Sequence, residues 1–199
     1  MLPALLVGLA LQASASCNVM KYGAKGDGVT EDTAAIQAAV AACGGGSGGN
    51  GGGTVVLPKG NTFLSYPFNV TGNNMVLRVE GRLIGPETPD LKRWTVLPHF
   101  PSYELSRTGH WTRYAPLVGA YNVTNLTITG AGTIDGNGAW WWANANTLSS
   151  ERPRLVEPEW VKGLKVTDIT LTQSMYVGRK SPLATKNLLE VTDGLRRAP

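Results

Sequence analysis

The stretch "LTITGAGTI", Leu126 to Ile134, alternates apolar and polar residues, passes through a glycine-rich turn and starts a second apolar run. A similar pattern returns 38 residues later in "LKVTDITL", Leu164 to Leu171. Period-two alternation is typical of half-buried β-strands, and a pattern that recurs at a fixed spacing is typical of repeat architectures. The runs "TVVL" from Thr54 and "MVLRVEGRLI" from Met75 have the same β-rich composition. The sequence therefore predicts a β-solenoid, with a β-sandwich as the structural alternative.

The 38-residue offset extends beyond these two runs. It aligns Leu117 and Val118 with Leu155 and Val156, Val123 with Val161, Leu126 with Leu164, and Ile128 with Val166. Because the coils of a solenoid stack on their neighbours, we expect Val123, Leu126 and Ile128 to include buried, stacked positions. The strands of the solenoid should span Thr54 to Leu171.

One helix is predicted before the β-rich part, in "VTEDTAAIQAAVAAC". Ile36, Val40 and Cys43 recur at helical spacing, and Glu31 and Asp32 precede them, where a helix dipole favours anions. We expect a helix at Thr33 to Cys43 that caps the first coil. The glycine-rich segment 44–53 that follows is predicted to be a flexible loop, and it lacks the lysine of a phosphate-binding loop.

The N-terminus carries an apolar run from Leu2 to Leu11, followed by Ala13 and Ala15 at the spacing that signal peptidases recognise. The run is shorter than the roughly 20 apolar residues of a membrane span. We interpret residues 1–15 as a signal peptide cleaved after Ala15, with a buried helix as the alternative. This predicts a secreted protein without a membrane anchor.

Two further features of the sequence are expected to be modified in a secreted protein. Asn69, Asn122 and Asn125 each begin an Asn-x-Thr sequon and are candidate glycosylation sites. Cys17 and Cys43 are the only cysteines, and an oxidising compartment would permit a disulfide between them. Two free thiols are the alternative.

Composition narrows the classes of partner. The chain has 199 residues, 42% hydrophobic and 16% charged, which fits one well-buried domain. The net charge of +4 weakly favours a polyanion, but no basic helix, zinc-ligand spacing or RNA-binding pattern indicates nucleic acid. An acidic polysaccharide suits a secreted protein better. We expect no metal, no cofactor, no nucleic-acid or membrane partner, and a monomer.

Four segments, in this order, resemble the secreted polygalacturonases of the plant type, which hydrolyse pectin. They are "YGAKGDGVTEDTAAIQAAV", "LPHFPSYELSRTGHWTRYAPLV", "NVTNLTITGAGTIDGNGAWW" and "RPRLVEPEWVKGLKVTDITLTQS". The first is shared widely among pectin-active proteins, whereas "GTIDGNGAWW" with "RPRLVE" is more specific. The resemblance covers roughly Val19 to Ser174. It implies a right-handed parallel β-helix, activity on galacturonan, and a location in the extracellular cell wall.

The resembling segments contain the candidate substrate-binding residues. The guanidinium groups of Arg152 and Arg154 suit uronate carboxylates, although they would also be stable as solvated ions beside neighbouring glutamates. Trp141, in the triplet 140–142, is a candidate for stacking on a sugar, with loop packing as the favoured interpretation. We expect Asp135 to bond to turn amides rather than to act as a catalyst. His110 is interpreted as a loop residue.

The sequence departs from the family pattern after Ser174. The family's Asp-Asp dipeptide, Gly-His-Gly turn and Arg-Ile-Lys segment do not occur, and residues 175–199 are interpreted as a divergent tail. An inverting glycosidase needs two carboxyl groups. We therefore expect no catalytic residue in this chain and no hydrolysis by it alone. The alternatives are a non-catalytic pectin-binding β-helix, a truncated gene product, and a pectate lyase or epimerase-like β-helix.

Overall fold

The computed structural model describes residues 15–44, 52–98 and 112–176 of the chain. Its strands form a right-handed parallel β-helix, in which each coil of the chain contributes strands to different sheets and pairs with the coils before and after it. The predicted fold class is confirmed.

Three parallel sheets run along the solenoid. The first sheet contains β1 (Ser16–Asn18), β3 (Thr54–Leu57), β6 (Val76–Val79), β11 (Thr124–Thr129) and β14 (Lys162–Thr167). The second contains β2 (Asp27–Glu31), β4 (Thr62–Leu64), β7 (Arg82–Ile84), β12 (Thr133–Asp135) and β15 (Thr170–Thr172). The third contains β5 (Phe68–Asn69), β10 (Val118–Tyr121) and β13 (Val156–Glu159).

Between the last two described coils, the register of the first and third sheets is the one that the 38-residue repeat predicts. Leu126 lies opposite Leu164 and Ile128 opposite Val166 in the first sheet, and Val118 lies opposite Val156 in the third. The inward side chains therefore stack as apolar columns. Val55, Leu77 and Ile128 form one column, and Phe63, Leu83, Ile134 and Leu171 form another. All of them are buried.

The N-terminal helix has the predicted bounds. Helix α1 (Thr33–Cys43) buries Ile36, Val40 and Cys43 against β1, β3 and β5 at the start of the solenoid. Cys43 and Cys17 form a disulfide, with the Cα atoms 5.9 Å apart. In chain-entropy terms a bridge over a loop of this size stabilises the fold by about 2 to 4 kcal/mol, and here it joins the helix to the first strand.

Glu31 and Asp32 do not serve the helix dipole as we expected. The buried Asp32 carboxylate accepts hydrogen bonds from the backbone N–H groups of Lys25 and Gly26, at 2.6 and 3.0 Å. Glu31 forms an ion pair with Arg93. Asp32 therefore fixes the turn that precedes α1, whereas Glu31 connects this segment to Arg93 in a later coil.

Two longer excursions leave the regular coils. An antiparallel ribbon of β8 (Val96–Pro98) and β9 (Thr112–Tyr114) lies between β7 and β10. The short helix α2 (Ala139–Ala143) lies between β12 and β13, in the tryptophan-rich segment. Within the described ranges, no helix has the length and apolar character that crossing a bilayer requires.

The stacked columns give a first testable prediction. Ile128 is buried and lies opposite Leu77 on one side and Val166 on the other, so replacing it with Ala should remove about 2 to 5 kcal/mol from the free energy of unfolding. Urea denaturation followed by circular dichroism measures the difference. Val29→Ala is a matched control, because Val29 is 80% exposed, and it should change stability by less than about 0.5 kcal/mol. An equally small effect of Ile128→Ala would place Ile128 outside the core.

Candidate functional site

A cleft of about 660 Å³ lies between the third sheet and the β8–β9 ribbon. Outward-facing residues of β5, β10 and β13 line it on one side, and Leu97, Pro98 and Arg113 of the ribbon line it on the other. A concave surface with a few convergent polar groups is the usual form of a ligand site. This is the candidate site of the described structure.

The side of the cleft formed by the sheet is one row of three paired residues. Gly119 on β10 lies opposite Asn69 on β5 and opposite Glu157 on β13. A Cβ atom at Gly119 would lie 2.2 Å from the side-chain oxygen of Asn69, so the absence of a side chain there leaves room for the asparagine. Polar groups from three coils thus lie side by side.

Arg113 connects the ribbon to this sheet. Its guanidinium is buried and donates hydrogen bonds to the carboxylates of Glu157 and Glu159. The second oxygen of Glu157 lies 3.0 Å from the guanidinium of Arg154. Two guanidinium groups are therefore matched by two carboxylates.

Burial raises the pKa of the Glu157 carboxyl above its ordinary value. The guanidiniums of Arg154 and Arg113 oppose this shift, and the Glu159 carboxylate adds to it. Desolvation disfavours the charged form of a carboxyl, and here it outweighs the two ion pairs.

Two aromatic residues lie exposed in the cleft. Tyr121, at the end of β10, is 63% exposed, and Trp160, which follows β13, is 60% exposed. Tyr121 lies opposite Glu159, so the two aromatic residues come from neighbouring coils at the same corner of the solenoid.

Trp141 does not lie in this cleft, and the stacking role considered for it does not fit the structure. Its side chain is fully buried, and its ring packs edge-on against Trp94, Tyr114 and Trp140 at centroid distances of 4.9, 5.4 and 5.4 Å. No ring face is open to a sugar. The loop-packing interpretation describes its position.

Arg152 and Arg154 lie together around Tyr176, and neither lines the cleft. The guanidinium of Arg154 lies 4.7 Å from the ring centroid of Tyr176, and that of Arg152 lies 5.9 Å from it. Burial lowers the pKa of the Arg152 guanidinium, which is half-buried. The side chain of Arg154 is only 12% exposed, so it is not the solvated ion of the alternative interpretation.

Asp135 has the structural contacts that its turn predicts. The carboxylate is buried, accepts a hydrogen bond from the backbone N–H of Asn137 at 3.0 Å, and pairs with Arg82 at 2.9 Å. An ion pair and a turn amide thus hold this carboxylate in place.

The sequons differ in their surroundings. Asn69 lines the cleft, and Asn122 is exposed with a left-handed backbone. The side-chain amide of Asn125 donates a hydrogen bond to Asn74, one coil earlier. His110, the signal peptide and most of the tail 175–199 lie outside the described residues. Within the described ranges, no three His, Cys, Asp or Glu side chains are grouped as a metal site.

Sequence reasoning missed the central residues of the cleft, Arg113, Tyr121 and Trp160. The 38-residue offset does place Tyr121 opposite Glu159, and an exposed aromatic residue beside a carboxylate was a usable signal. Nothing in the sequence pattern indicates that Arg113 returns to the third sheet.

The shifted pKa of Glu157 gives a prediction on stability. Between the ordinary value of 4.5 and its higher value in the folded state, Glu157 binds more protons folded than unfolded, so it makes the free energy of unfolding fall as pH rises. Glu157→Gln should remove this contribution to the pH dependence, because the amide does not titrate. Urea denaturation at several pH values upward from 4.5 measures the slope.

The exposed residue Glu87 supplies the control. Glu87→Gln should keep the pH dependence of the unmodified protein. If Glu157→Gln keeps it as well, burial does not govern the titration of Glu157.

Two family models match the chain. Residues 16–76 match "Rhamnogalacturonase A/epimerase, pectate lyase-like", and residues 99–179 match "Glycosyl hydrolases family 28". The second match continues beyond Ser174, where we placed the end of the resemblance.

Curated plant proteins share this similarity. A probable polygalacturonase of Vitis vinifera is 32% identical over 178 residues, which cover 87% of this chain and 35% of the relative. An exopolygalacturonase of Zea mays is 30% identical over 168 residues, covering 81% of this chain and 35% of the relative. The chain thus spans about a third of the length of these relatives.

Solved structures show the same fold. An exopolygalacturonase from Thermotoga maritima superposes with a TM-score of 0.62 at 23% identity, covering 82% of this chain and 43% of that one. A polygalacturonase from Erwinia carotovora gives a TM-score of 0.56 at 22% identity, covering 82% and 44%. Taken with the family model and the plant relatives, the chain belongs to the polygalacturonase-type glycoside hydrolases, glycosyl hydrolases family 28.

Proposed function

We propose that this protein acts on the galacturonan of pectin as a polygalacturonase-type hydrolase, and that the 199-residue chain alone binds galacturonan without hydrolysing it. The match to glycosyl hydrolases family 28 over residues 99–179, together with plant relatives named polygalacturonases, carries the first part. The second part rests on the carboxyl groups of the described residues.

Hydrolysis with inversion needs one carboxylic acid and one carboxylate about 6.5 to 9.5 Å apart, both free to exchange protons with substrate and water. Asp135 is held by Arg82 and by its turn, and Asp32 by two backbone amides. Glu157 is buried between two guanidiniums. These contacts favour structural roles for all three groups.

A separate observation supports the proposal that the chain binds galacturonan. Arg152 and Arg154 converge on Tyr176, which gives two cations beside one aromatic ring. Guanidinium groups recognise carboxylates with two parallel hydrogen bonds, so a uronate is a suitable ligand for Arg152, because Arg154 already pairs with Glu157. We place the contact with a galacturonate carboxylate there.

A reducing-end assay on polygalacturonate tests the proposed function. The purified chain should show no turnover above a heat-killed control, but calorimetry should show that it binds polygalacturonate. Arg152→Ala should weaken this binding by roughly tenfold, the effect of about 1.4 kcal/mol. Lys59→Ala, an exposed cation far along the chain, is the matched control and should bind as before.

Turnover that disappears in Asp135→Asn would show that Asp135 is catalytic and would contradict this assignment. Turnover that survives this substitution would require another carboxyl pair in the chain. Absence of both turnover and binding would exclude galacturonan as the ligand of this chain.

We also propose that the protein is secreted to the cell wall and cut after Ala15. The apolar run before Ala15 and the Cys17–Cys43 disulfide support an oxidising compartment. N-terminal sequencing of protein from the medium of plant cells should begin at Ser16. An intracellular protein that retains Met1 would contradict both the cleavage and the localisation.

A further inference from the structure

The corner after β13 holds Trp160 in the left-handed backbone region, with φ of 55°. The same position of the preceding coil is Asn122, with φ of 51°, and the corner after β5 includes Gly72, with φ of 96°. Glycine adopts this conformation without steric cost and asparagine tolerates it. For a bulky residue it is a conformational outlier, so the solenoid imposes on Trp160 a backbone that its side chain disfavours.

Packing does not explain this choice of residue. The indole is 60% exposed, and a smaller residue such as the asparagine of the neighbouring coil fits the corner better. The side chain lines the cleft beside Tyr121, which is 63% exposed. Backbone strain that folding does not require is typical of ligand-binding positions.

We propose that Trp160, together with Tyr121, is a stacking subsite for a pyranose ring of galacturonan. This inference rests on the proposed function and identifies a place in the cleft where the substrate chain is held. Aromatic rings offer a large apolar face to the C–H face of a sugar, and Asn69 and Glu159 supply polar groups for its hydroxyls within the same cleft.

The charges of the cleft indicate what the subsite recognises. The two carboxylates of Glu157 and Glu159 are matched by the guanidiniums of Arg113 and Arg154. Among the described residues that line the cleft, Arg113 is the one cation, and its pairing with Glu157 and Glu159 leaves no surplus positive charge for a uronate, in contrast to Arg152 beside Tyr176. The subsite recognises the ring and not its carboxylate, so a methyl-esterified residue suits it as well as the free acid.

Titration of the full chain with a galacturonan oligosaccharide, and with its methyl ester, tests the proposal. Trp160→Asn should weaken binding of both by roughly tenfold, the scale of one lost aromatic contact. The midpoint of urea unfolding should stay the same or rise, because asparagine suits the left-handed corner. Trp160→Phe keeps an aromatic ring and should retain most of the affinity. Tyr22→Ala, at a tyrosine outside the cleft, should leave the affinity for both ligands unchanged.

Each other outcome is decisive. Unchanged binding by Trp160→Asn, while the unmodified protein binds galacturonan, overturns the subsite and leaves the proposed function intact. A clear loss of stability in Trp160→Asn would show that the indole packs on the chain itself, which also overturns it. A loss of affinity for the free acid alone would contradict ring recognition. If the unmodified protein does not bind galacturonan, the galacturonan function and this subsite both fail, even where a different saccharide binds through Trp160.

Discussion

The parallel pairing of each coil with the next is the constraint on which the rest of this structure depends. Backbone groups of β11 bond to those of β6 and β14, so the inward residues of successive coils must fall in line. A slip of one residue would turn the apolar columns outward. The pairing does not fix the length of a coil, however: Thr54 lies opposite Val76, 22 residues further on, whereas Val76 lies opposite Thr127, 51 residues further on.

The variable lengths are absorbed at one corner of the solenoid. In the described part of the chain, the helix α1 follows β2, the β8–β9 ribbon follows β7, and α2 follows β12, so each of these three insertions follows a strand of the second sheet. The ribbon then returns over the outer face of the third sheet and closes one side of the cleft. The cleft is thus a product of two independent features, a repeated sheet and a single long excursion.

This division explains what the sequence could predict. The register of Ile128 with Val166 and the helix at Thr33 to Cys43 follow from periodicity, which local residues encode. The burial of Trp141 does not follow from periodicity. Its ring packs against Trp94, which belongs to the preceding coil and comes close only when the chain folds. Arg113 similarly meets Glu157 from 44 residues away, at the end of an excursion whose path no pattern specifies. The left-handed backbone at Trp160 could be predicted only from the conformation of Asn122, the equivalent residue one coil earlier.

The carboxylates of the chain fall into two groups, those that bond to nearby backbone groups and those on the outward faces of strands. Those at turns, including Asp27, Asp32 and Asp135, bond to nearby backbone amides and are thereby committed to the fold. Side chains on the outward faces of strands are not needed as hydrogen-bond partners of the backbone, because the strands already pair with one another. Strands of adjacent coils lie about 4.8 Å apart. Outward positions within one coil and its neighbours can therefore deliver two carboxyl groups at the separation that an inverting hydrolase needs. The acidic residues at the strand ends, which draw attention in the sequence, therefore bond to the backbone, whereas acidic residues on the outward strand faces are not required to do so.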